Sequence, residues 1–168
     1  LATATFGQVA VYDNVAAVLG TVSMQGRTAR AGVPVTLTAV TVPYGPYTAV
    51  SIEQISNNLS FANLAEGVYT VTTNQPRYLN VTADLLKTIN IATKTSLNSL
   101  ELKGGNAVWS DNIINIQDAA KVGSEFGSLG ITYDSDVNFD GKVNVQDLAL
   151  VGGNYLKESG MVYSTWTP

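Results

Sequence analysis

An internal repeat constrains the second half of the chain more than any other sequence feature. Residues 115–126 and residues 144–155 align without a gap. Asn, Gln, Asp, Ala, Val and Gly recur at the same positions, and an aromatic residue ends each copy, at Phe126 and Tyr155. A fixed register of this kind indicates two equivalent structural units. We interpret each unit as a loop followed by a helix.

The loop before the second copy carries oxygen-bearing side chains at alternating positions. Residues 136–147 read DVNFDGKVNVQD, and positions 1, 3, 5, 9 and 12 are Asp136, Asn138, Asp140, Asn144 and Asp147. Gly141 permits a sharp turn at position 6, and Lys142 supplies its backbone carbonyl at position 7. Calcium takes about six to eight oxygen ligands, so we predict a calcium site here. Magnesium and a solvated acidic turn are the alternatives.

The loop before the first copy keeps only part of this pattern. The residues at positions 5, 7, 9 and 12 are Asp111, Ile113, Asn115 and Asp118. Counting further back puts Trp109 and Ala107 at positions 3 and 1, where neither has a side-chain oxygen. If the loop accommodates one extra residue, Asn106 supplies the oxygen at position 1. We therefore predict a second, imperfect calcium site; the alternative is a loop held by Asn and Asp hydrogen bonds alone.

The first half has the pattern of β-strands. Val33–Val40, Tyr69–Thr72 and Thr88–Ile91 alternate polar and apolar residues and are rich in β-branched side chains. Gly and Pro clusters separate these runs. We predict an N-terminal antiparallel β-sandwich of about seven strands in residues 1–104. Residues 1–17 are expected to form a leading strand or a tail.

Helical spacing replaces strand alternation after Gly104–Gly105, a pair that we interpret as a short hinge. The remaining residues, 105–168, are too few for a large core, and a bound metal would stabilise them. The expected fold class is therefore α+β by domain. It comprises a β-sandwich followed by a small α-helical unit with two loop–helix calcium motifs.

Composition excludes several classes of function. The chain has no Cys and no His, which removes thiolate zinc sites and Ser-His-Asp triads. A net charge of −4 argues against a nucleic-acid partner. No apolar run reaches the roughly 18 residues that a membrane helix needs. We expect an exported protein that is not an enzyme and, since Leu1 begins no signal peptide, a processed product or fragment.

Paired loops that end in Asp and are each followed by one helix resemble the dockerin family. Residues 136–148, DVNFDGKVNVQDL, are similar to the second dockerin repeat, and residues 111–118 are similar to the first from position 5 onward. Residues 59–71, LSFANLAEGVYTV, resemble the X module and carboxypeptidase regulatory-like β-sandwiches. The whole chain thus resembles an X module–dockerin dyad of type II, with the dockerin in residues 105–168.

The resemblance implies a non-catalytic, calcium-dependent module that binds a cohesin on a scaffold or cell-surface protein. It also implies a secreted protein of a cellulosome, acting in polysaccharide degradation and attached to the cell surface through its partner. The alternative is a calcium-stabilised structural end-cap of a larger exported enzyme or adhesin.

The resemblance places the cohesin contacts at loop positions 10 and 11 and about one turn later. The candidates are Ile116, Gln117, Gly123 and Ser124 in the first unit and Val145, Gln146, Gly152 and Gly153 in the second. A helical Gly costs about 1 kcal/mol relative to Ala, so the glycines need a reason such as close approach of a partner. A simple core or a frayed helix is the alternative. Two nearly identical faces would permit two binding orientations related by a pseudo-twofold axis.

Overall fold

The computed structural model describes residues 16–27, 32–40, 46–50 and 57–168. Within these residues the strands are β1 (Ala16–Met24), β2 (Pro34–Ala39), β3 (Tyr47–Val50), β4 (Asn58–Leu64), β5 (Gly67–Thr73), β6 (Arg77–Tyr78), β7 (Thr88–Ile91), β8 (Lys94–Ser96), β9 (Leu100–Leu102) and β10 (Gly104–Asn106). The helices are α1 (Ile116–Ser124), α2 (Val145–Gly153) and α3 (Ser159–Val162), with a 3-10 turn at Ala83–Leu85. None of these helices has the length and hydrophobicity that a membrane crossing requires.

The strands form three sheets rather than two antiparallel layers. One sheet has the order β3-β2-β5-β7 and is antiparallel throughout. In the second sheet β1 pairs antiparallel with β4, but it pairs in parallel with β8 and with β9. The third sheet consists of β6 and β10. The predicted wholly antiparallel sandwich is therefore wrong, because residues 94–102 run alongside β1 in the same direction.

Strand alternation did locate individual elements. Of the three alternating runs named above, the first contains β2, the second lies within β5 and the third coincides with β7. Val35 and Leu37 of β2 and Ile89 and Ile91 of β7 are the buried members of their alternating patterns. Val35, Leu37, Val71 and Ile89 of this sheet face the same hydrophobic cluster as residues of β1 and β4. The period of two therefore identified which side of each strand is buried.

The predicted fold class, α+β with a small α-helical unit after the β-sandwich, is wrong. Ten strands against three short helices make the described part of the chain mostly β, and the two longer helices have only nine residues each. The helical spacing is confined to the stretch between each Asn cap and the glycines that follow. Phe126 and Tyr155, which end the two copies of the repeat, lie beyond the helix ends and are half exposed. Turns, bridges and side-chain hydrogen bonds build the rest of the second half.

Gly104 and Gly105 form a buried strand and not a hinge. A Cβ on Gly105 would lie 3.0 Å from Val151 Cα, and one on Gly104 would lie 3.2 Å from the Tyr78 ring. The missing side chains therefore let α2 and β6 pack closely against β10. A glycine pair that resembles a chain break in the sequence instead serves close backbone packing.

One hydrophobic cluster extends through both halves of the chain. It includes Leu102 of β9, Ile114 of the first loop, Val122 of α1, Val151 of α2 and Tyr163 after α3. The division between residues 1–104 and 105–168 stays a prediction. Of the predicted leading strand or tail, residues 1–15 lie outside the described part of the chain, and the last two residues begin β1.

Candidate functional site

Each candidate loop ends in a helix cap made by the same residue types. Asn144 Oδ1 accepts a hydrogen bond from Gln146 N at 2.7 Å, and Asp147 Oδ2 accepts one from Asn144 N at 2.9 Å. Asn115 and Asp118 make the same pair of contacts at the start of α1. Reciprocal capping satisfies N–H groups that a helix start leaves unpaired. The residues at positions 9 and 12 therefore fix where each helix begins.

Carboxylates of the second loop accept backbone N–H groups from the loop itself. The two oxygens of Asp136 accept from Asp140 N and Gly141 N, each at 3.1 Å. Asp147 Oδ1 accepts from Asn138 N at 3.1 Å. Asp136 and Asp147 are fully buried. The chain turns at Gly141 with a φ of +87°, a conformation that favours glycine.

The two amides of this loop lie against its third carboxylate. Asn138 Nδ2 donates to Asp140 Oδ2 at 3.3 Å, and Asn144 Nδ2 donates to the same oxygen at 3.5 Å. Asp140 Oδ1 accepts from Lys142 N at 2.9 Å, while the Lys142 residue is exposed. The structure thus brings the predicted ligand positions of the second loop together.

Two equivalent hydrogen bonds show which residues of the first loop correspond to which residues of the second. Val108 N donates to Asp118 Oδ1 at 2.8 Å, as Asn138 N donates to Asp147 Oδ1. The first bond spans 10 residues and the second spans 9. The first loop therefore contains one extra residue, in the stretch that includes the half-exposed Trp109.

This register gives Asn106 the place that Asp136 has in the second loop. Asn106 is fully buried, and one end of its carboxamide lies 3.2 Å from Asp111 Oδ1 and 3.3 Å from the Ile113 carbonyl oxygen. In one amide orientation the nitrogen donates to both oxygens. In the other orientation three oxygens face one another, an arrangement that suits a cation. The groups predicted at positions 1, 5 and 7 therefore converge.

Carboxylates alone do not make a metal site in the described part of the chain. No group of three or more Asp, Glu, His or Cys side chains there is placed to hold an ion. A cation at either loop would depend on Asn oxygens and backbone carbonyls as well as on Asp. Calcium accepts all three ligand types, so the donor set fits calcium.

Burial opposes charge on one carboxylate of each loop, Asp136 in the second and Asp118 in the first. Burial raises the pKa of Asp136, and the nearby charges of Asp147 and Asp140 raise it further. The hydrogen bond from Gly141 N and the positive charge of Arg77 act in the opposite direction and lower this pKa. Burial likewise raises the pKa of Asp118. Without a cation the loops therefore hold charge that the fold disfavours.

The raised pKa values predict that the stability of the calcium-free protein depends on pH. A raised pKa means that the folded state binds the proton more tightly than the unfolded state does. The contribution of this proton to the free energy of unfolding is fully present below the ordinary Asp pKa of about 3.9. It is lost as the pH rises through the raised pKa that the carboxyl has in the folded protein. In chelator, raising the pH from 4 to 7 should therefore destabilise the wild type relative to Asp136→Asn. Urea unfolding at each pH measures this difference; parallel curves would contradict the prediction.

The candidate partner-binding residues lie on exposed surfaces. Ile116 and Val145, at equivalent helix starts, are each 66% exposed. The polar candidates Gln117, Ser124 and Gln146 are exposed as well. A Cβ added to Gly123, Gly152 or Gly153 would meet no atom within 4 Å. These residues are therefore not part of the core, and internal packing does not explain the glycines.

Sequence reasoning missed the contacts that the first half makes with the second loop. Tyr78 OH donates to the Val137 carbonyl at 3.0 Å. The Arg77 guanidinium lies 3.9 Å from the centroid of the Phe139 ring and donates to the Ile131 carbonyl at 3.2 Å. Both β6 residues are buried. An Arg is seldom buried without partners, but the burial of Arg77 is visible only in the structure, so the neighbouring residues offered no signal of these contacts.

No protein-family model and no curated protein sequence matches the chain. Among solved structures, a chain of an N-terminal interface mutant of the type II cohesin–X-dockerin complex from Acetivibrio cellulolyticus is similar. It aligns over 87% of this chain and 99% of its own length, with a TM-score of 0.65 and 20% identity. A C-terminal interface mutant of the same complex gives the same values. The chains share a fold. At this identity the likeness shows the fold alone.

Proposed function

We propose that this chain is a non-catalytic, calcium-dependent protein–protein interaction module whose partner is a cohesin on a scaffold or cell-surface protein. The observation that carries the proposal is the pair of exposed faces, each with an apolar residue at the helix start and open space over at least one glycine. An apolar spot beside a flat, side-chain-free stretch suits close approach of another protein. Similarity to chains of type II cohesin–X-dockerin complexes supports this choice of partner.

The proposed calcium ligands are those that the loops bring together. In the second loop they are Asp136, Asn138, Asp140, Asn144, Asp147 and the carbonyl of Lys142. In the first loop they are Asn106, Asp111, Asn115, Asp118 and the carbonyl of Ile113. A bound cation neutralises the negative charge of the buried carboxylates.

The position-12 carboxylates link the cation loops to the partner-binding faces. Asp118 and Asp147 are both proposed ligands and the acidic members of the two helix caps. Ordering either carboxylate therefore orders the start of its helix, where Ile116 and Val145 lie. In this proposal residues 1–104 buttress residues 105–168, and the protein works outside the cell in a cellulosome-type assembly.

Titration of the protein with a panel of cohesins, in calcium and in chelator, tests the proposed partner. We expect saturable binding to at least one cohesin in calcium and at least a tenfold loss of affinity in chelator, because the helix starts depend on the loop carboxylates. Calorimetry or surface binding measures both affinities. If calcium binds but no cohesin does, the structural end-cap becomes the better interpretation.

A further inference from the structure

The segment from Arg77 to Asn80 lies between the two candidate cation loops. Arg77 is the ladder partner of Asn106, the position-1 residue of the first loop. Its guanidinium also donates to the carbonyl of Asp136, the position-1 residue of the second loop, at 3.4 Å. An ion pair of 3.6 Å with Asp134 adds to this contact. One residue of the first half therefore contacts the beginning of both loops.

Asn80, at the other end of the segment, is joined to the turn of the first loop. Asn80 N donates to Asn112 Oδ1 at 2.8 Å, and Asn112 Nδ2 donates to the Asn80 carbonyl at 3.2 Å. Asn112 has a φ of +58° and corresponds to Gly141 of the second loop. Glycine would adopt that φ with less strain but could not make these two bonds. The pair of bonds explains an Asn at position 6.

Hydrogen bonds and burial hold the segment in place. The Asn80 side chain accepts from Gln75 N at 2.7 Å and donates to the Gln75 carbonyl at 2.9 Å. It also accepts from the Thr73 hydroxyl at 3.2 Å. Residues 77–81 are buried throughout. A buried, hydrogen-bonded segment that touches two loops can transmit order from one loop to the other.

We propose that Arg77–Asn80 couples the two cation loops, with Asn112 as the positioning residue on the first loop. The inference rests on the proposed calcium function. Calcium at one loop orders its contacts with the segment, which lowers the entropic cost of ordering the other loop. The two sites should therefore bind with positive cooperativity, which Asn112→Gly should remove although it restores the usual glycine of such loops.

Calorimetric calcium titration of a four-member cycle tests the coupling. The cycle contains wild type, Asn112→Gly, Asp147→Asn, which disables the second loop, and the double variant. We expect Asp147→Asn to weaken calcium binding at the first loop about fivefold in the wild-type background and to have no such effect with Gly at 112. Asn112→Gly alone should weaken the first loop about tenfold, the effect of losing two hydrogen bonds.

Ser159→Ala is the matched control, because the Ser159 hydroxyl donates to the same Asn80 carbonyl at 2.6 Å without belonging to either loop. It should lower the unfolding temperature and leave the coupling intact. Circular dichroism in chelator checks that every variant folds. Equal effects of Asp147→Asn in both backgrounds would overturn the inference while leaving calcium binding established. A wild type that binds no calcium would instead overturn the proposed function.

Discussion

Chelation of calcium is expected to lower the thermal unfolding temperature by about 10 °C for each loop that calcium occupies. The ligand stabilises the folded state by about 4 kcal/mol at a thousand times its Kd. For a chain of this size, 1 kcal/mol corresponds to about 2–4 °C. The physical cause is the charge of Asp136, which burial and the nearby charges of Asp147 and Asp140 disfavour in the absence of a cation. Differential scanning calorimetry in calcium and in chelator measures the shift.

Asp147→Asn provides the control for that experiment. It keeps a side chain of the same size and one oxygen for the cap of α2, but it removes the carboxylate at position 12. In this variant, the difference in unfolding temperature between calcium and chelator should fall to the contribution of the first loop alone. Magnesium at the same concentration should stabilise less, because it accepts fewer protein ligands. Identical unfolding temperatures in calcium and chelator would contradict the assignment of both loops.

The double variant Gly123→Arg/Gly152→Arg is expected to weaken cohesin binding by at least about a hundredfold. Arg is a better helix former than Gly by roughly 0.8 kcal/mol, and no atom lies within 4 Å of either added Cβ. The fold should therefore be slightly more stable. A partner that packs on both glycines would meet a long charged side chain instead, a steric and desolvation cost of several kcal/mol. Calorimetry gives the affinity and thermal unfolding gives the stability.

Gly160→Arg is the matched control, since Gly160 lies on α3 and its added Cβ would meet only Leu85 Cδ2, at 3.8 Å. Its affinity should equal that of the wild type. The single variants report on orientation: with two equivalent faces, each alone should retain binding. Abolition by either single variant would show that one face is used. Wild-type affinity in the double variant would rule out the glycine surfaces.

The convergence of Asp and Asn side chains in the second loop was predictable because the pattern is local, whereas calcium binding stays a prediction. Alternating Asp and Asn around Gly141 follow from the needs of one twelve-residue turn, so a single segment carries the whole signal. For the first loop the sequence left two alternatives for position 1, Ala107 by direct counting or Asn106 with one extra residue in the loop. The extra residue becomes visible in the bond from Val108 N to Asp118 Oδ1, which no sequence pattern reports.

The fold class and the shared contacts were not predictable, because they depend on residues far apart in the chain. Arg77 donates to a carbonyl 59 residues away, and nothing in its immediate neighbours indicates that partner. The parallel pairing of β8 and β9 with β1 also has no local signature. The prediction of a hinge at Gly104 and Gly105 was wrong for a local reason. Glycine occurs both in flexible hinges and in closely packed strands, and the sequence alone does not distinguish the two.

The continuity of the hydrophobic cluster across β10 bears on how the protein melts. Leu102, Val122 and Val151 belong to one packed interior, so melting one half would expose apolar surface of the other. Heating should therefore give a single cooperative transition, and chelation should move that transition without dividing it. For the same reason residues 105–168 expressed alone would lose the apolar partners that bury Val137 and Val151. The biochemistry of the helix faces is therefore best studied with both halves covalently joined.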